Sequence, residues 1–109
     1  MPVRDYRRRY LGFNVEGAVG LEEKTVYNTL INAVSRNYGV NGLSRANMKL
    51  LEYNVKKNSG IVRCNHSFLR EVRVSFALID NINGEPACIH VERISGTIKS
   101  LRDKTKSES

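Results

Sequence analysis

The order in which the hydrophobic period changes along this chain is the tightest constraint on its fold. Residues 7–16 alternate: Leu11, Phe13 and Val15 point one way, and Arg8, Tyr10, Gly12, Asn14 and Glu16 the other. Period two with Tyr, Phe and Val predicts a half-buried strand, which Gly17 and Gly20 break. From Glu22 to Tyr38 the period lengthens, and Val26, Leu30, Ile31, Val34 and Tyr38 form one helical stripe. Glu22 and Glu23 stand in the first turn, where the helix dipole favours negative charge, and Gly39 stands at the stop. Gly42 to Asn47 reads as a further short helical turn.

Met48 to Lys57 is expected as a second strand, with Lys49, Leu51, Tyr53 and Val55 on one face. Asn58-Ser59-Gly60 turns it into a third strand, Gly60 to Asn65, giving a hairpin. Ser67 to Asp80 predicts a second helix buried through Leu69, Val72, Phe76 and Ile79. A loop around Gly84 leads to a fourth strand, Pro86 to Arg93, with Pro86 at its first position. Ser95-Gly96-Thr97 then turns into a short basic helical segment. Residues 1–6 are expected to be a flexible basic N-terminus, 7–103 a single domain and 104–109 a disordered tail. The order β-α-β-β-α-β is the α+β ferredoxin-like pattern, a four-stranded antiparallel sheet with helices on one face and strand order 4-1-3-2. Such a fold hosts many functions and selects none.

Composition narrows the classes. With 109 residues, 40% hydrophobic and 27% charged, the chain reads as one globular domain. No apolar run approaches the ~18–20 residues of a membrane span, and Met1 to Arg9 leads into no apolar stretch of a signal peptide. Its two cysteines read as reduced thiols of a cytoplasmic protein. The excess of 18 Lys+Arg over 11 Asp+Glu, a net charge of +7, favours a polyanionic partner, nucleic acid before membrane. That charge falls in three zones: Arg4 to Arg9, Arg45 to Arg73, and Arg93 onward. Between the first two, Gly12 to Asn41 is nearly neutral.

Several chemistries can be weighed residue by residue. Cys64-Asn65-His66 and Cys88-Ile89-His90 are two Cys-x-His pairs, and i, i+2 spacing would put each pair on one strand face. Zinc wants four such ligands within ~2.0–2.3 Å. The expected strand order places the first strand between the pairs, separating them by nearly ~10 Å. One tetrahedral site cannot easily collect all four, and no protein-bound metal is expected. Glu16, Asp80, Glu85 and Glu92 are isolated, without the clustered carboxylates of a metal-dependent nuclease. There is no G-x-S-x-G motif and no P-loop, so no catalytic residue is assigned. The third strand, Gly60-Ile61-Val62-Arg63-Cys64-Asn65, has no aromatic residue, which disfavours base stacking on the sheet. Phosphate contact remains. Ser95, Gly96, Thr97 and Lys99 could form an anion site or simply a capped turn. Arg7-Arg8-Arg9 and Lys56-Lys57 suit neutralisation of a nucleic-acid backbone.

Three strings in fixed order then carry a resemblance: Arg9-Tyr10-Leu11, Gly60-Ile61-Val62-Arg63-Cys64 and Ser95-Gly96-Thr97-Ile98-Lys99. Together they resemble the archaeal ribonuclease P protein component 2 family, homologous to a eukaryotic ribonuclease P/MRP subunit, from about Arg7 to Leu101. The resemblance implies a ferredoxin-like, non-catalytic subunit supporting a catalytic RNA that removes the 5′ leader of precursor tRNA. Its implied partners are ribonuclease P RNA, precursor tRNA, the family's component 3 in a two-plus-two assembly, and other ribonuclease P proteins. Magnesium would sit at the RNA active site, with no cofactor on the protein. On this sequence it makes Arg9, Tyr10, Arg63, Ser95, Gly96, Thr97 and Lys99 RNA-facing candidates, while Arg7, Arg8, Lys56, Lys57 and Arg102 are added on charge. The helix from Glu22 to Tyr38 and the segment Gly39 to Asn47 are candidates for protein contact. The short chain favours an archaeal source. The alternative is a ferredoxin-like RNA-binding module outside ribonuclease P.

Overall fold

The computed structural model describes residues 7–107, with side chains as far as Arg102. The N-terminal segment expected to be flexible, Arg4 included, lies outside the described residues. Strand β1 (Arg8–Glu16) is followed by helix α1 (Glu23–Ala46), strands β2 (Lys49–Asn54) and β3 (Ser59–Asn65), a 3₁₀ turn (His66–Phe68) and helix α2 (Leu69–Ala77). A two-stranded ribbon, β4 (Asn81–Ile82) and β5 (Glu85–Pro86), precedes strand β6 (Cys88–Ser95) and helix α3 (Ile98–Ser107). The main sheet has the order β2-β3-β1-β6, antiparallel throughout. With β6 as the fourth long strand, this is the expected 4-1-3-2 arrangement.

Alternation in β1 sorts the two faces. Leu11, Phe13 and Val15 are buried against α1 and α2, beside Val26, Leu30, Val34, Val72 and Phe76. At roughly 1.5–3 kcal/mol for each large apolar side chain removed from water, this face supplies most of the driving force. Helix α1 is longer than its first stripe because it resumes beyond Gly39, which leaves helical geometry at φ 74°, ψ −177°. A residue without Cβ adopts that positive φ without strain. The second run ends at Asn47, whose left-handed conformation lets its N–H donate to the Leu43 carbonyl. The short helical turn expected at Gly42 to Asn47 is therefore the second limb of α1.

Three local readings are corrected. The second strand was expected to place Lys49, Leu51, Tyr53 and Val55 on one face. A register shift between Leu50 and Glu52 breaks that alternation: Lys49 and Glu52 pair with Arg63 and Ile61, while Leu50 and Tyr53 pair with Val62 and Gly60. The turn after it spans residues 55–58, with Asn58 at positive φ, so the strand resumes at Ser59. The loop around Gly84 holds the small β4–β5 ribbon, where Asn83 and Gly84 both have φ > 0, as a tight hairpin needs. The backbone of α3 runs from Ile98 to Ser107.

The largest consequence for function comes from α3. The two long helices do share one face of the sheet, but α3 lies across the other. Leu101 is 1% exposed, although its helix leaves the sheet at the chain's basic end. It packs over Gly12, where a Cβ would come 3.6 Å from Leu101 Cδ1. Gly12 thus leaves the flat patch of strand on which α3 rests.

Candidate nucleic-acid interface

The second face of the sheet collects charge through strand pairing. Tyr10 lies opposite Arg63 on one side and Ser95 on the other, Arg8 lies opposite Asn65, and Lys49 lies opposite Arg63. Arg8, Tyr10, Arg63 and Lys49 therefore form a continuous band near the start of β1. Arg63 Nε is buried without a hydrogen-bond partner among the described residues. Arg9 points to the opposite side of the strand. Its Nη1 donates to the Arg8 carbonyl at 3.0 Å and lies beside Gly96, where a Cβ would sit 3.5 Å from it. Arg7, exposed, meets the same end of the sheet, its carbonyl accepting from the His66 N–H at 2.7 Å.

The turn after β6 was open between an anion site and a capped helix start. The Thr97 N–H donates to Ser95 Oγ at 3.3 Å, and the Ser100 N–H donates to Thr97 Oγ1 at 3.1 Å. Thr97 Oγ1 thus caps α3, while the buried Ser95 braces the turn ahead of it. Beside them the Lys99 side chain is exposed.

Lys56, Lys57 and Arg102 belong to a second group. The β2–β3 turn is held against β1 by the Val15 N–H donating to the Asn58 carbonyl at 2.7 Å. From Tyr10 to Val15 is roughly 17 Å at ~3.3–3.4 Å per residue, so these lysines stand at the far end of the face. There a groove of 710 Å³ opens between that turn and α3, lined by Gly12, Tyr53, Lys56, Ile61, Arg93 and Leu101 among others. Arg102 crosses it to Glu52, with Nη2 and Nε both donating to Oε1, at 3.1 and 3.3 Å. That pair is about half exposed, so it holds α3 in place without removing the arginine from solvent. Of the candidates, Arg8, Tyr10, Arg63 and the turn come together at one end, and Lys56, Lys57 and Arg102 at the other.

Sequence reasoning missed Lys49 and Arg93 as members of this face. The bulge in β2 hid Lys49, and only the pairing of Gly12 with Arg93 places the latter beneath α3. The two cysteines also part company. Cys64 is fully buried on the helix side, and burial pushes its thiol up to about 11, against the lowering effect of Arg9. Cys88 is partly exposed on the other face, its thiol also held up by partial burial and by the Glu16 carboxylate.

With this geometry in hand, comparison with known proteins is informative. The Rpp14/Pop5 family model matches residues 9–106. The chain belongs to the Rpp14/Pop5 family. Ribonuclease P protein component 2 of Pyrococcus furiosus is 31% identical over 102 residues, spanning 94% of this chain and 85% of that protein. The Methanosarcina barkeri protein of the same name is 30% identical, over 95% of this chain and 76% of its own length. The Thermococcus gammatolerans protein of that name is 29% identical, over 98% and 89%. Among solved structures, the cryo-EM structure of yeast ribonuclease MRP contains a similar chain, with a TM-score of 0.68 at 14% identity. That match covers 98% of this chain and 97% of the other, and speaks for the fold alone. The strings around Tyr10 and Arg63 that suggested the family lie on the paired strands β1 and β3, and the one around Gly96 follows from the end of the neighbouring β6 into α3.

Proposed function

We propose that this protein is a non-catalytic subunit of ribonuclease P that supports a catalytic RNA in removing the 5′ leader of precursor tRNA. The observation that carries this reading is the family match over residues 9–106, with relatives named ribonuclease P protein component 2 aligned along nearly the whole chain. The basic band supports it physically. Cations on a rigid sheet replace condensed counterions along an RNA backbone and relieve its self-repulsion. Arg8, Arg63 and Lys49 act at one end of the face, and Lys56, Lys57 and Arg102 at the other. Tyr10, the aromatic within the band, contributes surface between cations more than a stacking platform. Catalytic magnesium then belongs to the RNA, and the protein lowers the magnesium needed by screening phosphates itself.

The remaining parts of the assembly belong to the same proposal: precursor tRNA, component 3 in a two-plus-two complex, other ribonuclease P proteins, and a cytoplasmic setting. None of the described helices is long and apolar enough to cross a membrane. For the protein partner, most of the α1 stripe is committed to the core through Val26, Leu30 and Val34. What α1 presents outward is the kink at Gly39, flanked by Tyr38 and by Val40, which is 77% exposed.

The test is reconstitution of the RNA with component 3 at limiting magnesium, with and without this chain. Addition should raise leader cleavage, most strongly at the lowest magnesium concentration. No gain at any magnesium level would overturn the proposal. RNA binding without stable co-purification with component 3 would favour an RNA-binding module outside ribonuclease P.

A further inference from the structure

Away from the basic band, the end of β1 and the start of β6 bring together three side chains that the sequence separates widely. Glu16 lies directly opposite Cys88, and Asn14 opposite His90, so Glu16, Cys88 and His90 share the face crossed by α3. Cys88 Sγ is 3.4 Å from His90 Nε2 and 3.7 Å from Glu16 Oε2, and His90 Nε2 is hydrogen-bonded to Glu16 Oε2. All three donor atoms lie within 4.8 Å of one another.

We propose that Glu16, Cys88 and His90 form a three-ligand site for a zinc-class divalent cation at the edge of the sheet. Bond lengths of ~2.3 Å for Zn–S, ~2.0–2.1 Å for Zn–N and ~2.0–2.2 Å for Zn–O give tetrahedral ligand edges of roughly 3.3–3.6 Å. The two sulfur edges are already near that size. Closing the third means parting the carboxylate from the imidazole, and their side chains are 66% and 52% exposed, so both can move. The donor set selects the ion: thiolate and imidazole suit zinc, whereas magnesium and calcium favour oxygen ligands throughout. Thiolate and carboxylate together balance the cation's two charges. The backbone is pre-organised, because Cys88 and His90 are two apart on one strand and Glu16 is fixed across from them by the β1–β6 ladder. Three protein ligands with a solvent-facing fourth position leave that position to water.

No protein-bound metal was expected from the sequence, on the ground that the two Cys-x-His pairs cannot easily join in one site, and the site proposed here departs from that expectation without using both pairs. Cys64 is fully buried on the helix side of the sheet, and His66 lies beyond the end of β3 in the 3₁₀ turn. The new site takes one pair only, and completes it with a carboxylate from the neighbouring strand.

The experiment uses the full chain, reduced and metal-free, titrated with Zn²⁺ alone by calorimetry and with Co²⁺ by absorption. The expected result is a break at one cation per chain and a thiolate-to-cobalt charge-transfer band. Cys88→Ser should remove the band and weaken zinc binding at least about tenfold, since even the loss of an outer-shell partner costs ~10–100-fold. Glu16→Gln should weaken it too, while His66→Asn leaves the titration unchanged. Zinc should raise the melting temperature of the unmodified chain more than that of the Cys88→Ser variant. A titration with no one-equivalent break overturns the proposal, as does a break undiminished in both the Cys88 and Glu16 variants.

Discussion

The helix-covered face of the sheet and the face crossed by α3 are built from the same four long strands, residue by alternate residue. On the first, Leu11, Phe13, Val62 and Cys64 meet two helices and are almost wholly removed from water. On the second, Arg8, Tyr10, Arg63 and Lys49 stay partly or fully accessible, and the one deeply buried contact described there is Leu101 on Gly12. The difference teaches where stability and function are separated in this fold. Changes on the first face should be read in unfolding experiments, and changes on the second mainly in binding to RNA.

The largest effect should come from Phe76→Ala, which empties a fully buried site between α2 and the core. A loss of about 3–5 kcal/mol in denaturant unfolding is expected. Leu101→Ala tests whether α3 is part of the same cooperative unit. A loss of about 2 kcal/mol, at the lower end for buried leucines, is expected because the second face can relax, together with faster amide exchange in α3. A loss as large as that of Phe76→Ala would erase the distinction between the faces.

Cys64 gives a pH test of the helix-covered side. Its folded thiol is raised to about 11 from 9.0, so the folded state holds its proton more tightly than the unfolded chain. The stabilisation is therefore complete below about pH 9 and declines as pH rises through about 11. Cys64→Val should flatten that part of the stability profile, measured by denaturant melts across the alkaline range.

On the second face, the double variant Arg8→Ala, Arg63→Ala should leave the melt nearly unchanged while weakening RNA binding. The slope of log K against log salt should become shallower by about 0.7–0.9 for each phosphate that is no longer neutralised. An unchanged slope would take these residues out of the interface. The smallest effect is expected from Arg102→Ala, whose half-exposed pair with Glu52 contributes about 0.2–1 kcal/mol by the measure of surface ion pairs.

How legible this was depends on the range of the interaction involved. Period two in β1 and the 3.6-residue stripe of α1 are local, and they predicted both elements and the faces they bury. Asn83-Gly84 is a readable hairpin signal, although a plain loop was expected there. The bulge in β2 was not readable, because its register is set by pairing with β3 and by the packing of Tyr53 on Phe13, with ring centroids 6.3 Å apart. Lys49 changed face for that reason. The two Cys-x-His pairs make the point most directly. Their spacing is identical in sequence, yet one cysteine is sealed in the core, and the other meets a histidine and a glutamate in the open.

By itself, the sequence determined the order of elements, the ferredoxin-like strand order, the family and the excess of positive charge. Those properties follow from local periodicity, short turn motifs and composition, which need no knowledge of distant neighbours. Only the tertiary structure decided that α3 folds back over Gly12, that Tyr10, Arg63 and Lys49 form one band, and that Glu16 reaches Cys88 and His90. Each of these depends on the register between strands distant in the chain. A shift of one residue in that register would turn every side chain of a strand to the other face.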